Sequence, residues 1–160
     1  MPIVYVIDND PVLRESLKLL LGAEGFSVET FSTAQKFLRQ RSPIEPGCVL
    51  TEIYMADEAT GFEVLSAVSG WGPDWPVIVL TVDYDLELRQ AALAQGASDF
   101  LEKPCPPDEL VAAVQNALRG GIATISAAFP RRSSLLERAA PPLLAGPVKT
   151  PAARWLSSGK

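Results

Sequence analysis

Five short strand-like runs are set into the first 119 positions of this chain, each followed by a stretch with helical periodicity. The sharpest are Ile3-Val4-Tyr5-Val6-Ile7 and Val77-Ile78-Val79-Leu80-Thr81. An unbroken apolar run of that length fits a strand covered on both faces, not one with a wet side. Such strands run parallel, and parallel neighbours need a crossover long enough to hold a helix. The pattern predicts an α/β fold, a doubly wound five-stranded parallel sheet with helices on both faces.

The remaining strands are predicted over Phe26–Phe31, Cys48–Ile53 and Ser98–Leu101. Asp10 and Pro11 open the first helix as N-cap and first helical residue, and Gly25 stands just past its end. Leu13, Leu17, Leu20 and Leu21 make its apolar stripe. Ser32-Thr33-Ala34-Gln35 reads as a capping box for a helix reaching Gln40. Further helices are predicted over Gly61–Val68, Leu86–Ala94 and Asp108–Leu118. Trp71-Gly72-Pro73-Asp74-Trp75 reads as a packed aromatic loop. From residue 120 the pattern stops, and Pro130, Pro141, Pro142, Pro147 and Pro151 are scattered among small residues. The expected organisation is one domain over 1–119 and a Pro/Ala/Ser-rich basic tail over 120–160, disordered or loosely docked.

Charge divides the chain at the same place. Residues 1–119 carry 8 Lys and Arg against 18 Asp and Glu, a net −10. Residues 120–160 carry 6 against the single acid Glu137, a net +5. An acidic body is poorly suited to nucleic acid. No apolar run reaches the roughly 18 residues a spanning helix needs, so no membrane contact is expected. The first strand begins at once with no basic flank, which argues against a secretory leader and for the cytoplasm. Cys48 and Cys105 lack zinc or redox spacing and are expected to be buried thiols. The chain has no histidine, so it holds no His triad, no His metal site and no phosphohistidine of its own.

Parallel sheets of this kind bind ligands at the carboxyl ends of their strands. Asp8, Asn9, Glu52, Thr81 and Lys103 all fall at or just past predicted strand ends, so the topology brings them together. Acids, a hydroxyl and a lysine are the groups that phosphoryl chemistry on a carboxylate needs: an acceptor, a cation holder and a fixed positive charge. No GxGxxG, P-loop or nucleophile elbow is present, and the chain is not expected to be an enzyme.

Three segments carry a resemblance: Val4-Tyr5-Val6-Ile7-Asp8-Asn9-Asp10, Gly47-Cys48-Val49-Leu50-Thr51-Glu52-Ile53-Tyr54-Met55, and Gly96-Ala97-Ser98-Asp99-Phe100-Leu101-Glu102-Lys103-Pro104. Over residues 3–118 the chain resembles the receiver domain of bacterial two-component response regulators, in the nitrogen-fixation-regulator branch. The resemblance implies a strand order of 2-1-3-4-5, an acidic pocket at Asp8, Asn9 and Asp10, and a phosphoacceptor position at Glu52. It implies switch and phosphate-contact positions at Thr81, Phe100 and Lys103, and a cis bond before Pro104. It also implies Mg²⁺, a sensor histidine kinase or downstream signalling protein, and a partner surface on the fourth helix, fifth strand and fifth helix, near residues 84–118. A homodimer is left open.

The site departs from that family. Glu52 stands where an aspartate is usual, which moves its carboxylate outward by roughly 1.5 Å, enough to spoil in-line transfer. Asn9 is neutral where a metal-binding carboxylate is usual, leaving Asp8 as a weak metal ligand at best. Val82 replaces a small residue beside the pocket. The leading expectation is a stand-alone receiver that acts by protein contact with phosphorylation absent or weak. In it Glu52 projects its charge where an aspartyl phosphate would sit, with Lys103 and Thr81 in contact. A conventional acceptor using Glu52 or Asp57 with Mg²⁺ is the alternative. A flavodoxin-like cofactor binder is the second, disfavoured because the strand-end loops carry acids and not Gly/Ser/Thr-rich cradles. Regulators of this branch usually continue into a helix-turn-helix domain, whereas residues 120–160 show no pair of apolar-patterned helices.

Overall fold

The computed structural model describes residues 1–40, 45–55 and 59–120. In chain order it runs β1 (Ile3–Ile7), α1 (Pro11–Ala23), β2 (Ser27–Phe31), α2 (Ala34–Arg39), β3 (Cys48–Thr51), α3 (Gly61–Ser69), β4 (Val77–Thr81), α4 (Leu86–Ala94), β5 (Asp99–Glu102) and α5 (Pro107–Leu118). The strands form one parallel sheet in the order β2-β1-β3-β4-β5. The tail, apart from Gly120, and the candidate Asp57 lie outside the described residues.

The period of two along each strand divides the core into two layers. Val4, Val6, Cys48, Leu50, Ile78, Leu80 and Leu101 face α1 and α5. Tyr5, Ile7, Val49, Val77, Val79 and Phe100 face the other way, against α2, α3 and α4. That is why the runs had to be apolar at every position. Trp71 and Trp75 belong to the second layer. They pack edge-on at 4.8 Å between ring centroids, Trp75 stacks on Tyr5 at 5.8 Å, and Trp71 meets Phe37 at 5.7 Å. The aromatic loop is thus core, and its rings are used up within the fold.

Several boundaries differ from the sequence expectation; β2 begins at Ser27 and α5 at Pro107, each one residue from its expected start. β3 ends at Thr51 and not Ile53, because the Ile53 amide turns back to the Glu52 carboxylate. Thr33 caps α2 in place of Ser32, its hydroxyl accepting from the Lys36 amide at 3.1 Å. β5 slides one residue to Asp99–Glu102, pairing Ile78 with Asp99 and Thr81 with Glu102. Asp10 caps α1 as expected, accepting from the amides of Val12 and Leu13.

Sheet order then fixes the site. β1 lies between β2 and β3, so the order of strands reverses at the β1/β3 boundary. The crevice outside the strand ends at such a reversal is where this architecture places ligands. Ile7 pairs with Thr51, so the next residues on each strand, Asp8 and Glu52, emerge side by side.

Candidate functional site

Backbone hydrogen bonds hold the strand ends in register at this crevice. The Asp8 amide donates to Phe31 O at 3.1 Å and the Glu52 amide to Ile7 O at 3.1 Å. On the far side the Lys103 amide donates to Thr81 O at 2.8 Å. The Lys103–Pro104 peptide bond is cis. From there Lys103 reaches across β4 and β3 to the acids. Its Nζ donates to Asp8 Oδ2 at 2.7 Å and to Glu52 Oε2 at 2.9 Å.

Both carboxylates are nearly closed off from water, with Asp8 3% and Glu52 6% exposed. Their remaining oxygens are also engaged. Asp8 Oδ1 accepts from the Asp10 amide at 2.8 Å. Glu52 Oε1 accepts from the amides of Ile53 at 2.6 Å and Tyr54 at 3.4 Å. The extra methylene of glutamate makes this possible, since it lets the carboxylate fold over its own main chain while the other oxygen meets Lys103. Desolvation by burial opposes the lysine charge, but the hydrogen bonds and charges of Asp8 and Glu52 outweigh it, and Lys103 holds its proton above the ordinary lysine value. Arrangements of this kind leave an ammonium ion as the resident cation of the pocket.

The other predicted positions fall around this triad. Asn9 and Asp10 are exposed at the mouth, Asp10 being committed to its helix cap. Thr81 is fully buried, but its hydroxyl accepts from the Asp83 amide at 3.2 Å, and no hydrogen bond among the described residues joins it to Glu52. Phe100 is 5% exposed and packs edge-on against Tyr84 at 6.0 Å. Val82 lies at the surface, 62% exposed. Pro104 is exposed.

Sequence reasoning passed over three contributors. The Arg14 guanidinium, one turn into α1, donates to the main-chain carbonyl of Asp8 at 2.5 Å and so ties the helix to the acidic loop. Gly61 donates its amide to Ile53 O at 2.8 Å, and a Cβ there would run into the main chain of Glu52 and Ile53. Tyr84 covers Phe100. Only the first had a visible signal, a cation placed at helical spacing after an N-cap; the others depend on approaches between distant segments.

The response regulator receiver domain family model matches residues 4–115. Among curated proteins, the transcriptional regulatory protein FixJ of Bradyrhizobium diazoefficiens is 37% identical over 116 residues, 72% of this chain and 56% of that protein. The response regulator protein TodT of Pseudomonas putida is 33% identical over 117 residues, 73% of this chain and 51% of that protein. The chain thus spans a little over half the length of these relatives. Among solved structures, full-length FixJ from B. japonicum superposes with a TM-score of 0.68 at 35% identity, covering 79% of this chain and 61% of that one. A receiver domain protein from Clostridium thermocellum gives 0.68 at 28% identity, covering 74% and 95%.

Proposed function

The chain belongs to the response regulator receiver family, domains of two-component signal transduction, and from that premise we propose that it works by binding a protein partner while taking up a phosphoryl group weakly or not at all. The observation that carries this reading is the closed triad, in which Lys103 bridges Asp8 and Glu52. A phosphoryl group arriving at Glu52 would have to take Oε2 from the ammonium ion or Oε1 from the two amides that the carboxylate already holds.

Receiver domains in general bind Mg²⁺ at this position. The donor set here does not fit that ion, which demands near-ideal octahedral oxygen geometry. Asp8 and Glu52 each spend both oxygens on hydrogen bonds, Asp10 caps α1, and Asn9 is neutral. Among the described residues no group of three or more Cys, Asp or Glu side chains is placed to hold a metal ion. This reading expects Mg²⁺ to bind weakly.

The partner, a sensor kinase or a downstream signalling protein, would meet the face of α4, β5 and α5. Exposed Val82 and Leu86 beside that face offer it apolar contact. A cytoplasmic setting suits such an encounter, and among the described residues no helix is long and apolar enough to cross a membrane. The transcriptional regulatory role in the name of FixJ belongs to a protein nearly twice the matched length and is not extended to this chain.

A paramagnetic stand-in for Mg²⁺ tests the pocket. With about 1 mM Mn²⁺, a concentration at which a working octahedral site would be occupied, the amides of residues 8–10 and 52–54 should keep their NMR intensities. Selective loss of those signals at about tenfold lower metal would overturn the reading.

A further inference from the structure

In the pocket the link from acceptor to sheet edge is incomplete. Glu52 meets Lys103, but the Thr81 hydroxyl is turned along its own loop to the Asp83 amide. Phe100, one strand further out, is nevertheless buried. Something other than the pocket holds its ring inward.

Tyr84 stands in the right place. Its amide donates to Val82 O at 3.1 Å, closing a tight turn directly after the Thr81–Asp83 hydrogen bond, so the β4–α4 loop is folded twice within four residues. That turn drops the tyrosine ring onto Phe100, edge to face at 6.0 Å and 67°. Leu88, Ala92, Leu93 and Ala97 pack in the same layer, so the two rings fill the space between α4 and the sheet. The phenol sits in the field of Arg89 on α4 and Glu102 on β5.

We propose that Tyr84 is the latch that keeps Phe100 buried and fixes the position of α4, independently of what occupies the carboxylate pocket. An edge-on aromatic pair adds directional attraction to the area it buries. For Phe100 to swing out, the pair must part and the double turn at 81–84 must loosen. The binding face is thereby held in one arrangement by a residue outside the pocket. The inference rests on the packing of the β4–α4 loop and stands whether or not Glu52 accepts a phosphoryl group.

The test follows the Phe100 ring by aromatic NMR and the α4 amides by hydrogen exchange in the full 160-residue chain, with the β1 amides as a control for the fold. Tyr84→Ala should bring Phe100 into exchange between two positions and speed α4 exchange about tenfold, the factor that losing one aromatic contact corresponds to. Tyr84→Phe should leave both readouts within about twofold of the parent, since the ring and not the phenol makes the contact. Tyr84→Leu, which keeps an apolar side chain, should give an intermediate value and serves if the alanine variant fails to fold. Glu52→Gln should leave the Phe100 ring at a single position and should not speed α4 exchange beyond any change in the β1 amides. Unchanged Phe100 signals in Tyr84→Leu and Tyr84→Ala would overturn the proposal, as would Glu52→Gln moving them as far as the tyrosine variants do. Phosphoryl uptake at Glu52 would sink the preceding functional reading while leaving these readouts as stated.

Discussion

Replacing Lys103 with methionine removes the ammonium ion from between two buried carboxylates and keeps most of the side-chain volume. Removing one partner of a buried ion pair costs about 3–5 kcal/mol, because the other charge is left without compensation. Lys103 retains 16% of its side-chain exposure, so water reaches part of the cluster and the low end, about 3 kcal/mol, applies. With a urea slope of about 1.5 kcal/mol/M, the midpoint should fall by about 2 M. The pH dependence has a definite sign. In the parent, the raised pKa of Lys103 means its contribution is complete below the unfolded lysine value and is lost as pH rises through the folded one. The gap between the two proteins should therefore narrow as the pH rises through the folded Lys103 value. Tryptophan fluorescence in urea at several pH values reads this directly, since Trp71 and Trp75 pack against the core. A loss under about 1 kcal/mol at pH 7, typical of an exposed ion pair, or a deficit that does not shrink as Lys103 loses its proton at high pH, would refute the reasoning.

Three further outcomes are expected. Gly61→Ala should lower stability by about 1–3 kcal/mol in a urea melt, because the new Cβ would press on the Glu52 and Ile53 main chain. Burial pushes the Cys48 and Cys105 thiols up to about 12, so both should alkylate slowly at pH 8 in the native protein and readily in urea, as peptide mass mapping would show. The paired change Asn9→Asp with Glu52→Asp should free the pocket for a cation, giving Mg²⁺-dependent acyl phosphate formation at least about tenfold above the parent in a small-phosphodonor assay.

The fold was largely legible in the chain because β1 and β4 announced themselves by unbroken apolar runs and most helices by a cap or a stripe. Asp10 and Pro11 marked the start of α1, and Gly25, with φ of 95°, stands just past its end as the left-handed residue that the helix end calls for. Boundaries failed where a side chain competed with the ladder, as at Ile53, whose amide leaves the sheet for a carboxylate. The candidate residues could be named from strand ends, but their relations could not. Lys103 lies 95 residues from Asp8 and 51 from Glu52, and nothing local says that one ammonium ion will meet both. Nor does the sequence say that the Thr81 hydroxyl turns toward Asp83, since a threonine at a strand end has equally good partners in its own loop. Tyr84 gave no sign at all: a single aromatic in a polar loop reads as surface until the fold places Phe100 beneath it.

The most direct measurement of the central claim is intact mass of the chain after treatment with acetyl phosphate and Mg²⁺, followed by peptide mapping around Glu52. A pocket already occupied by Lys103 predicts no stoichiometric gain of a phosphoryl group. A hydroxylamine-labile gain of one such group at Glu52, or at Asp57, would contradict the account and make this chain a working phosphoacceptor.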